Sequence, residues 1–349
     1  MENFCPQTPD QLADVLHGLA TEYRAIRLGG NFSKDRLGGP VSRSDATVST
    51  AAMRRLLQYD PRDLTISVEA GMPFAELERI LAEHRQMLPL DPPWRAQSTV
   101  GGVVAANLSG PRRRLYGTAR DMIIGMTFAT LEGRLVQSGG MVVKNVAGLD
   151  MAKLLVGSFG TLAAIAVVNF KVFPTPAASR TFVSEFATAA EAFAERDRIL
   201  ASVLQPSAID IVNWPPGGLS ASRFRLFIRA QGNTAVLDRF ARALPAAAVA
   251  DESVWDEIHE FTPRFLGEHA GGAVVPMSMK LSEMAGAMSR LSDEKIPAIA
   301  RAGSGSLIAH YSADAPPAPW PGDFATMERV KHMFDPDRLL NRGRLYGRI

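Results

Sequence analysis

Cysteine and histidine are scarce in this sequence. Cys5 is the only cysteine in 349 residues, so a disulfide framework, or an iron–sulfur or zinc cluster held by this chain alone, is excluded. The six histidines are scattered, without the spacing of a metal site or a catalytic triad. We therefore expect no bound metal, and a reducing compartment as the simplest setting.

Charge of one sign and long apolar runs are also lacking. The formal net charge is +2, from 38 basic and 36 acidic residues, which argues against nucleic acid or a membrane surface as a partner. No apolar run is long enough to span a bilayer, and the opening MENFCPQTPD lacks the pattern of a signal peptide. These absences favour a cytoplasmic protein.

What is present is an ordinary globular composition, 46% hydrophobic and 21% charged, over a length that suits two domains. A long alternating strand at 162–173 stops at Pro174 and Pro176, which we take as a domain boundary. After these prolines, strands and helices follow one another in a pattern that predicts an α+β domain with an antiparallel sheet. The expected divisions are 1–176, 177–330 and 331–349.

The segment 97–117, QSTVGGVVAANLSGPRRRLYG, carries almost no bulky side chain before Arg112. Neither a packed core nor a solvated loop has this composition, and glycine lets the backbone come close to a flat or anionic partner. Thr99, Gly101 and Gly102 precede a stretch that could start a helix facing a phosphate. A phosphate-bearing cofactor is the interpretation we favour, and close packing between helices is the alternative.

Other glycine segments leave similar alternatives open. Arg27–Lys34, RLGGNFSK, could turn several N–H groups around an anion, although it lacks the spacing of a P-loop or a dinucleotide fingerprint. A plain tight turn is its alternative. Residues 143–165 predict a helix, a turn at GSFGT and a strand, either as part of a site or as a structural unit. The tail, with Asn341 and Arg344, could equally be a solvated basic end.

In combination and in this order, these segments resemble the FAD-binding domain of the vanillyl-alcohol-oxidase type, also called the PCMH type. The motifs are GGNFS at 29–33, EAG at 69–71 before a proline, the segment 99–121, KNVAGLDMAKLLVGSFGTL at 144–162, and FDP at 334–336 followed by an asparagine. Arg342 stands where the family usually has proline. The resemblance implies a PCMH-type domain of two α+β subdomains, an α+β cap domain with an antiparallel sheet, and a C-terminal segment that returns to the first domain.

Further motifs narrow the resemblance to the short E-type subunits of bacterial glycolate oxidase: NLSGPRR at 107–113, RD at 120–121 and GGMVVKNVAG at 139–148. Such a subunit works with a catalytic D-type flavoprotein subunit and an iron–sulfur subunit. The resemblance therefore implies both as partners, a small 2-hydroxy acid as substrate, and membrane association only through the partner subunits.

FAD is the cofactor that the resemblance implies. Covalent attachment in this family uses a histidine or cysteine near these loops; the loop 29–34 has neither and Cys5 lies too early, so we expect non-covalent FAD. The residues expected to contact it are Gly29, Gly30, Asn31, Phe32, Ser33, Thr99, Val100, Gly101, Gly102, Asn107, Ser109, Gly110, Gly117, Ile165 and Asn341.

Catalytic residues stay unassigned. Oxidation of a 2-hydroxy acid needs a base and a cation that holds the carboxylate. The histidine cluster of the catalytic subunits is missing, since GSGS at 303–306 stands in its place and is followed by the single histidine His310 in that segment. His310 could act as the base or make a structural hydrogen bond. Arg344, or Asn341, could reach the flavin ring or a substrate from the tail.

Three functions remain open at this point. The first is the FAD-binding subunit of a glycolate oxidase-like complex that passes electrons to an iron–sulfur partner. The second is a stand-alone FAD-dependent 2-hydroxy acid dehydrogenase, and the third is a non-catalytic structural subunit. The basic patch 112–114 and the loop 214–218 are either contacts to the cofactor or a partner, or ordinary solvated loops.

Overall fold

The computed structural model of the protein describes residues 1–40, 42–141, 150–215, 224–313 and 323–349. The KNVAG motif at 144–148 and the loop residues 216–218 lie outside these ranges. The described chain combines helices with four β-sheets, which confirms the predicted α+β class. None of the described helices is long and apolar enough to cross a membrane.

A small parallel sheet and one helix open the chain. The helix begins after Thr8, whose hydroxyl accepts a hydrogen bond from the Gln11 N–H at 3.2 Å, and Pro9 fits its first turn. Its leucines pack on the sheet, in which the third strand pairs with the other two. The elements are β1 (Glu2–Phe4), α1 (Pro9–Thr21), β2 (Ile26–Gly29) and β3 (Ala46–Ser49).

A five-stranded antiparallel sheet follows and carries the largest apolar core of the first half. Its strand order is β4-β5-β9-β7-β8, and β6 and β10 form a separate pair. The elements are β4 (Leu56–Asp60), β5 (Thr65–Glu69), α2 (Phe74–Glu83), β6 (Gln86–Met87), α3 (Val100–Ala106), α4 (Arg113–Tyr116), α5 (Ala119–Met122), β7 (Ile123–Ala129), β8 (Leu135–Gly139), α6 (Ala152–Leu155), β9 (Ala164–Lys171) and β10 (Phe173–Pro174), with a short 3-10 helix at Thr50–Ala52 before them.

A seven-stranded sheet dominates the second half, and all of its pairings are antiparallel, as predicted. Its order is β14-β11-β13-β12-β16-β17-β15, with apolar cores on both faces. The elements are β11 (Ala178–Phe186), α7 (Ala189–Leu200), β12 (Ala208–Val212), β13 (Phe224–Gly232), α8 (Thr234–Ala243), β14 (Ala248–Ala250), α9 (Val254–His259), α10 (Phe261–Glu268), β15 (Ala273–Ser278), a 3-10 turn at Leu281–Glu283, α11 (Met284–Asp293), β16 (Ala298–Arg301) and β17 (Ser306–Tyr311).

The C-terminal segment contains α12 (Phe324–Phe334) and α13 (Arg344–Arg348), and between them it meets the first sheet. Leu340 forms a parallel bridge with Ile26 of β2. The FDP motif has a structural reason here: buried Asp335 accepts hydrogen bonds from the N–H groups of Leu339 and Leu340, both at 2.8 Å, and pairs with buried Lys331 at 2.6 Å. These contacts hold the tail beside the loop that follows β2.

Candidate functional site

A cleft with an empty volume of about 690 Å³, open to solvent, lies where three segments and the tail meet. Its walls come from the loop after β2, the start of α3, the turn before β9 and two tail residues. The lining residues are Leu28, Gly29, Gly30, Asn31, Phe32, Ser33, Lys34, Asp35, Thr50, Thr99, Gly101, Gly102, Ala105, Ala106, Phe159, Gly160, Ala163, Ile165, Asn341 and Arg344.

The loop after β2 provides a row of backbone donors. The N–H groups of residues 30–34 have no hydrogen-bond partner anywhere in the described chain. Phe32 has a left-handed backbone, with φ of 53°, and successive N–H groups around such a residue form a concave anion-binding arrangement. Gly30 must be glycine, because a Cβ there would lie 2.2 Å from Thr99 Oγ1.

The start of α3 lines the cleft in a different way from the one the sequence suggests. The N–H of Val100 donates to the Met72 carbonyl at 2.9 Å, and the N–H of Gly101 donates to the Ala70 carbonyl at 2.7 Å. The N–H of Gly102 donates to Thr99 Oγ1 at 3.2 Å. These three groups are therefore engaged within the protein, and what this helix presents to the cleft is the bare surface of its glycines.

The tail closes one side of the cleft through two polar side chains. Asn341 accepts from the Leu28 N–H at 2.7 Å and donates to the carbonyls of Leu28 and Phe159, at 2.9 and 2.7 Å. Arg344 donates to the Asp35 carbonyl and pairs with its carboxylate at 2.8 Å. Both residues fix the shape of the cleft, and Arg344 keeps one buried N–H, at Nε, without a partner in the described chain.

Lys34 is a cleft residue that the sequence analysis did not single out. Its ammonium group is buried and donates to Ser33 Oγ at 3.0 Å and to Ser98 Oγ at 2.6 Å. Burial lowers the pKa of Lys34 to about 8, while the more distant Glu260 carboxylate acts to raise it. The lysine following the glycine loop is visible in the sequence, but its contact with a serine 64 positions later is not.

The structure brings most of the predicted cofactor residues together around this cleft: Gly29, Gly30, Asn31, Phe32, Ser33, Thr99, Gly101, Gly102, Ile165 and Asn341. It does not place Val100, Asn107, Ser109, Gly110 or Gly117 among the lining residues. Val100 is buried in the apolar core, and Gly110 packs so tightly that a Cβ would lie 2.3 Å from the Asp91 carbonyl oxygen. Gly117 has φ of 87° and contacts Asp121.

His310 lies in β17 and does not line the cleft. Its side chain is fully buried, with Nε2 2.8 Å from Thr262 Oγ1 and Nδ1 3.2 Å from the Pro297 carbonyl, between the rings of Phe261 and Phe265. Burial lowers the pKa of His310 to about 4, so the imidazole is neutral at pH 7. The sequence predicts His310 to be either the catalytic base or a residue with a structural hydrogen bond, and the geometry supports the structural hydrogen bond.

Charged pairs fill the junction between the cap sheet and the segment that precedes α4. Asp91 lies 3.5 Å from Arg112, and the buried carboxylate of Asp210 on β12 pairs with Arg301 on β16. Arg114 packs against Gly303, where a Cβ would lie 2.2 Å from its Cδ. Within the predicted patch 112–114, Arg114 therefore packs against the cap and Arg112 lies beside Asp91, so these two side chains are not simply solvated.

Residues 3–139 match the family described as the FAD binding domain. The fold is also that of a solved alkyldihydroxyacetonephosphate synthase, with a TM-score of 0.75 over 97% of this chain and 75% of that chain, at 20% identity. Fold and family match together define a protein with a PCMH-type FAD-binding domain.

The sequence is 32% identical to the glycolate oxidase subunit GlcE of Escherichia coli (strain K12), over 97% of both chains. The chain belongs to the family of FAD-linked oxidoreductases that contains this subunit. Two other relatives match in part: glycolate oxidase subunit GlcD of Bacillus subtilis (strain 168), at 26% identity over 61% of this chain and 45% of that protein, and D-lactate dehydrogenase (cytochrome) 1, mitochondrial, of Saccharomyces cerevisiae (strain ATCC 204508 / S288c), at 31% over 53% and 31%.

Proposed function

We propose that this chain is the FAD-binding subunit of a glycolate oxidase-like complex that oxidises a small 2-hydroxy acid and passes electrons to an iron–sulfur partner. The observation that carries the proposal is the cleft lined by the N–H groups of 30–34, which have no partner in the part of the chain that the structure describes. The chain also matches a glycolate oxidase subunit along 97% of its length. A cytoplasmic location, with membrane contact only through partner subunits, remains part of this prediction.

The residues of the cleft fit FAD. The N–H groups of 30–34 supply fixed donors for a pyrophosphate, and the partner-free Arg344 Nε adds a charged one. The glycine surface at Gly101 and Gly102 leaves room for a flat group to lie against α3. Bound FAD would supply the hydride-accepting ring of the reaction. Among the described residues, the cleft lining includes no histidine or cysteine, which supports non-covalent binding.

Electrons must leave this chain for a group held elsewhere. One cysteine cannot build an iron–sulfur cluster, so a separate subunit has to hold it. A catalytic D-type flavoprotein subunit and an iron–sulfur subunit are the partners we propose. His310 is buried away from the cleft, and no histidine is among the described residues that line it, which favours a partner-dependent reaction over the stand-alone dehydrogenase.

Substitution of Gly102 tests the cleft. A Cβ at this position would lie 3.1 Å from Thr99 Oγ1 and 3.9 Å from Lys34 Nζ, so the branches of valine must enter the cleft. We expect Gly102→Val to lose most of its flavin, measured by visible absorbance per chain, while circular dichroism stays unchanged. Gly18→Val is the matched control, because a Cβ at this helical glycine meets nothing within 4 Å. Equal flavin content in both variants would contradict the site.

Reduction by substrate separates the three functions. We expect glycolate or D-lactate to bleach the flavin absorbance only after the proposed partner subunits are added. Bleaching of the isolated chain would instead show the stand-alone dehydrogenase. A purified chain that neither contains flavin nor takes up added FAD would leave the structural-subunit alternative.

A further inference from the structure

We propose that Lys34 is the cation that anchors the pyrophosphate of FAD in this cleft, because its ammonium group lies beside both the partner-free N–H groups of 30–34 and the bare surface of Gly102. The inference rests on the proposed function and adds to it a binding residue that neither the motifs nor the comparisons assign. It also adds a second full positive charge to the site, beside the guanidinium group of Arg344.

The first support is the unusual environment of this lysine. Its side chain is buried, and its hydrogen-bond partners in the described chain are the hydroxyl groups of Ser33 and Ser98 rather than a carboxylate. A buried ammonium group normally has a counter-ion, since desolvation of an uncompensated charge is costly. Among the described residues, Lys34 therefore has no carboxylate within hydrogen-bond distance, and Glu260 acts on it only from further away.

A second buried lysine in the same chain shows what a structural role looks like. Lys331 pairs with the Asp335 carboxylate at 2.6 Å and donates to the carbonyls of Thr161 and Leu340, at 2.7 and 3.1 Å. All three of its donors are used, and its charge is compensated within the protein. Lys34 has two neutral acceptors and a third donor left over, on the wall of an open cleft.

The third support is that neighbouring donors point to the same kind of ligand. The N–H groups of 30–34 have no partner in the described chain, and the position of a Cβ on Gly102 lies 3.9 Å from Lys34 Nζ. Backbone donors around one loop, plus an ammonium group at its end, suit a group with several anionic oxygens. Of the parts of FAD, only the pyrophosphate has this charge.

The test compares ligands that carry the pyrophosphate with one that does not. In flavin-free protein, Lys34→Met should raise the dissociation constant of FAD, measured by flavin fluorescence, by about 10–100-fold, the range expected for a lost charge-assisted hydrogen bond. ADP should compete for the site less well by a similar factor. Riboflavin, which has the ring and no phosphate, should compete with wild type and variant equally. Lys280→Met, at an exposed lysine of the cap, should bind all three like the wild type.

Several outcomes would overturn the assignment. Unchanged FAD and ADP binding by Lys34→Met would show that the ammonium group does not touch the phosphates. An equal loss for riboflavin would show that the substitution disturbs the cleft as a whole, and thermal unfolding of the flavin-free variant would show this independently. If the wild-type chain binds neither FAD nor ADP, the proposed function itself fails, which is a different result from either of these.

Discussion

The charge of Lys34 should destabilise the flavin-free folded protein and strengthen the binding of FAD. In flavin-free protein its pKa falls from 10.5 to about 8 because burial disfavours the charged form, with Glu260 as the carboxylate acting against the shift. The neighbouring loop charges, Asp35 with Arg27 and Arg344, pair among themselves. The ammonium group is thus a stability cost that a bound anion would offset.

The pH dependence of unfolding follows from this shift. Between about pH 8 and pH 10.5 the unfolded chain holds the Lys34 proton more tightly than the folded chain. The free energy of unfolding should therefore rise with pH across this window. Below about pH 8 the full destabilising effect of the charge is present. The full cost is about 3 kcal/mol, at 1.36 kcal/mol per pKa unit. We expect Lys34→Met to be more stable than the flavin-free wild type in urea at pH 7, with the difference shrinking by pH 10. A variant less stable at pH 7 would contradict this account.

At the residue scale, the sequence indicates where the cleft lies, but it does not indicate what each side chain does there. The glycine loop and Asn341 could be named from the sequence, because absence of a side chain and a motif position are local features, and they line the cleft. Their contact with FAD stays a prediction. The roles of Lys34, Arg344 and His310 depend on partners far along the chain, such as Ser98, and no local pattern encodes those distances.

At the scale of elements, the tail is held to the first sheet by a short motif. Asp335 joins Lys331 of α12 to the backbone of Leu339 and Leu340, and the bridge from Leu340 to Ile26 then sets Asn341 against β2. Asn341 and Leu28 are 313 residues apart in the sequence. The shape of the cleft therefore depends on a part of the tail that is distant in sequence from the loop after β2.

Removing one partner of this buried pair should be costly. Asp335→Asn leaves the Lys331 ammonium group buried without its counter-ion, so we expect a loss of about 3–5 kcal/mol in the free energy of unfolding. Urea denaturation of the flavin-free protein measures it. The double variant with Lys331→Met should recover part of the loss, because no charge then remains uncompensated. Additive losses in the double variant would argue against the coupling.

Secondary structure is predictable here where periodicity or a cap is strong. Pro73 before apolar residues at helical spacing, Glu132-Gly133 between two strand-like runs, and Thr188 three residues before Glu191 each predict a local element. The structure contains all three: α2, the β7–β8 hairpin and the capping box of α7. Strands β1 and β3 are missed because three or four residues show no alternation and their pairing is specified by distant neighbours. Helices α9 and α10 are missed too, although Trp255, Ile258 and Phe265 are buried at helical spacing.

At the scale of the whole molecule, the cleft loop also contacts the cap. Arg36, two residues after Lys34, donates to the carbonyls of Leu266, His269 and Gly272 at the end of α10. Arg95 joins Glu78 of α2, and its N–H donates to Glu260 between α9 and α10 at 3.0 Å. A boundary at residue 176 remains a prediction, but these contacts connect the two sides of it.

Loss of the Arg36 contacts should loosen the cap locally. Each exposed hydrogen bond of this kind contributes about 1 kcal/mol, so we expect Arg36→Ala to speed hydrogen exchange in α10 by roughly 5–10-fold. Exchange in α11, on the other face of the cap sheet, should stay unchanged. Arg242→Ala, at an exposed arginine of α8, is the control and should leave both helices as in the wild type. Acceleration throughout the cap would instead indicate global destabilisation.

Family and fold class follow from the order of motifs along the chain, since each motif is local and their combination is specific. The meeting of the β2 loop, α3, the turn before β9 and the tail in one cleft is a property of the folded molecule. It depends on sheet order and on the Asn341 and Asp335 contacts, which join positions that periodicity and spacing do not relate.

Hydrogen–deuterium exchange with and without FAD tests the central claim most directly. In the flavin-free protein the amides of residues 30–34 have no partner in the described chain and should exchange rapidly. On addition of FAD these amides should become protected, while the amides of Val100 and Gly101, already bonded, should change little. FAD binding without protection at 30–34 would contradict the account.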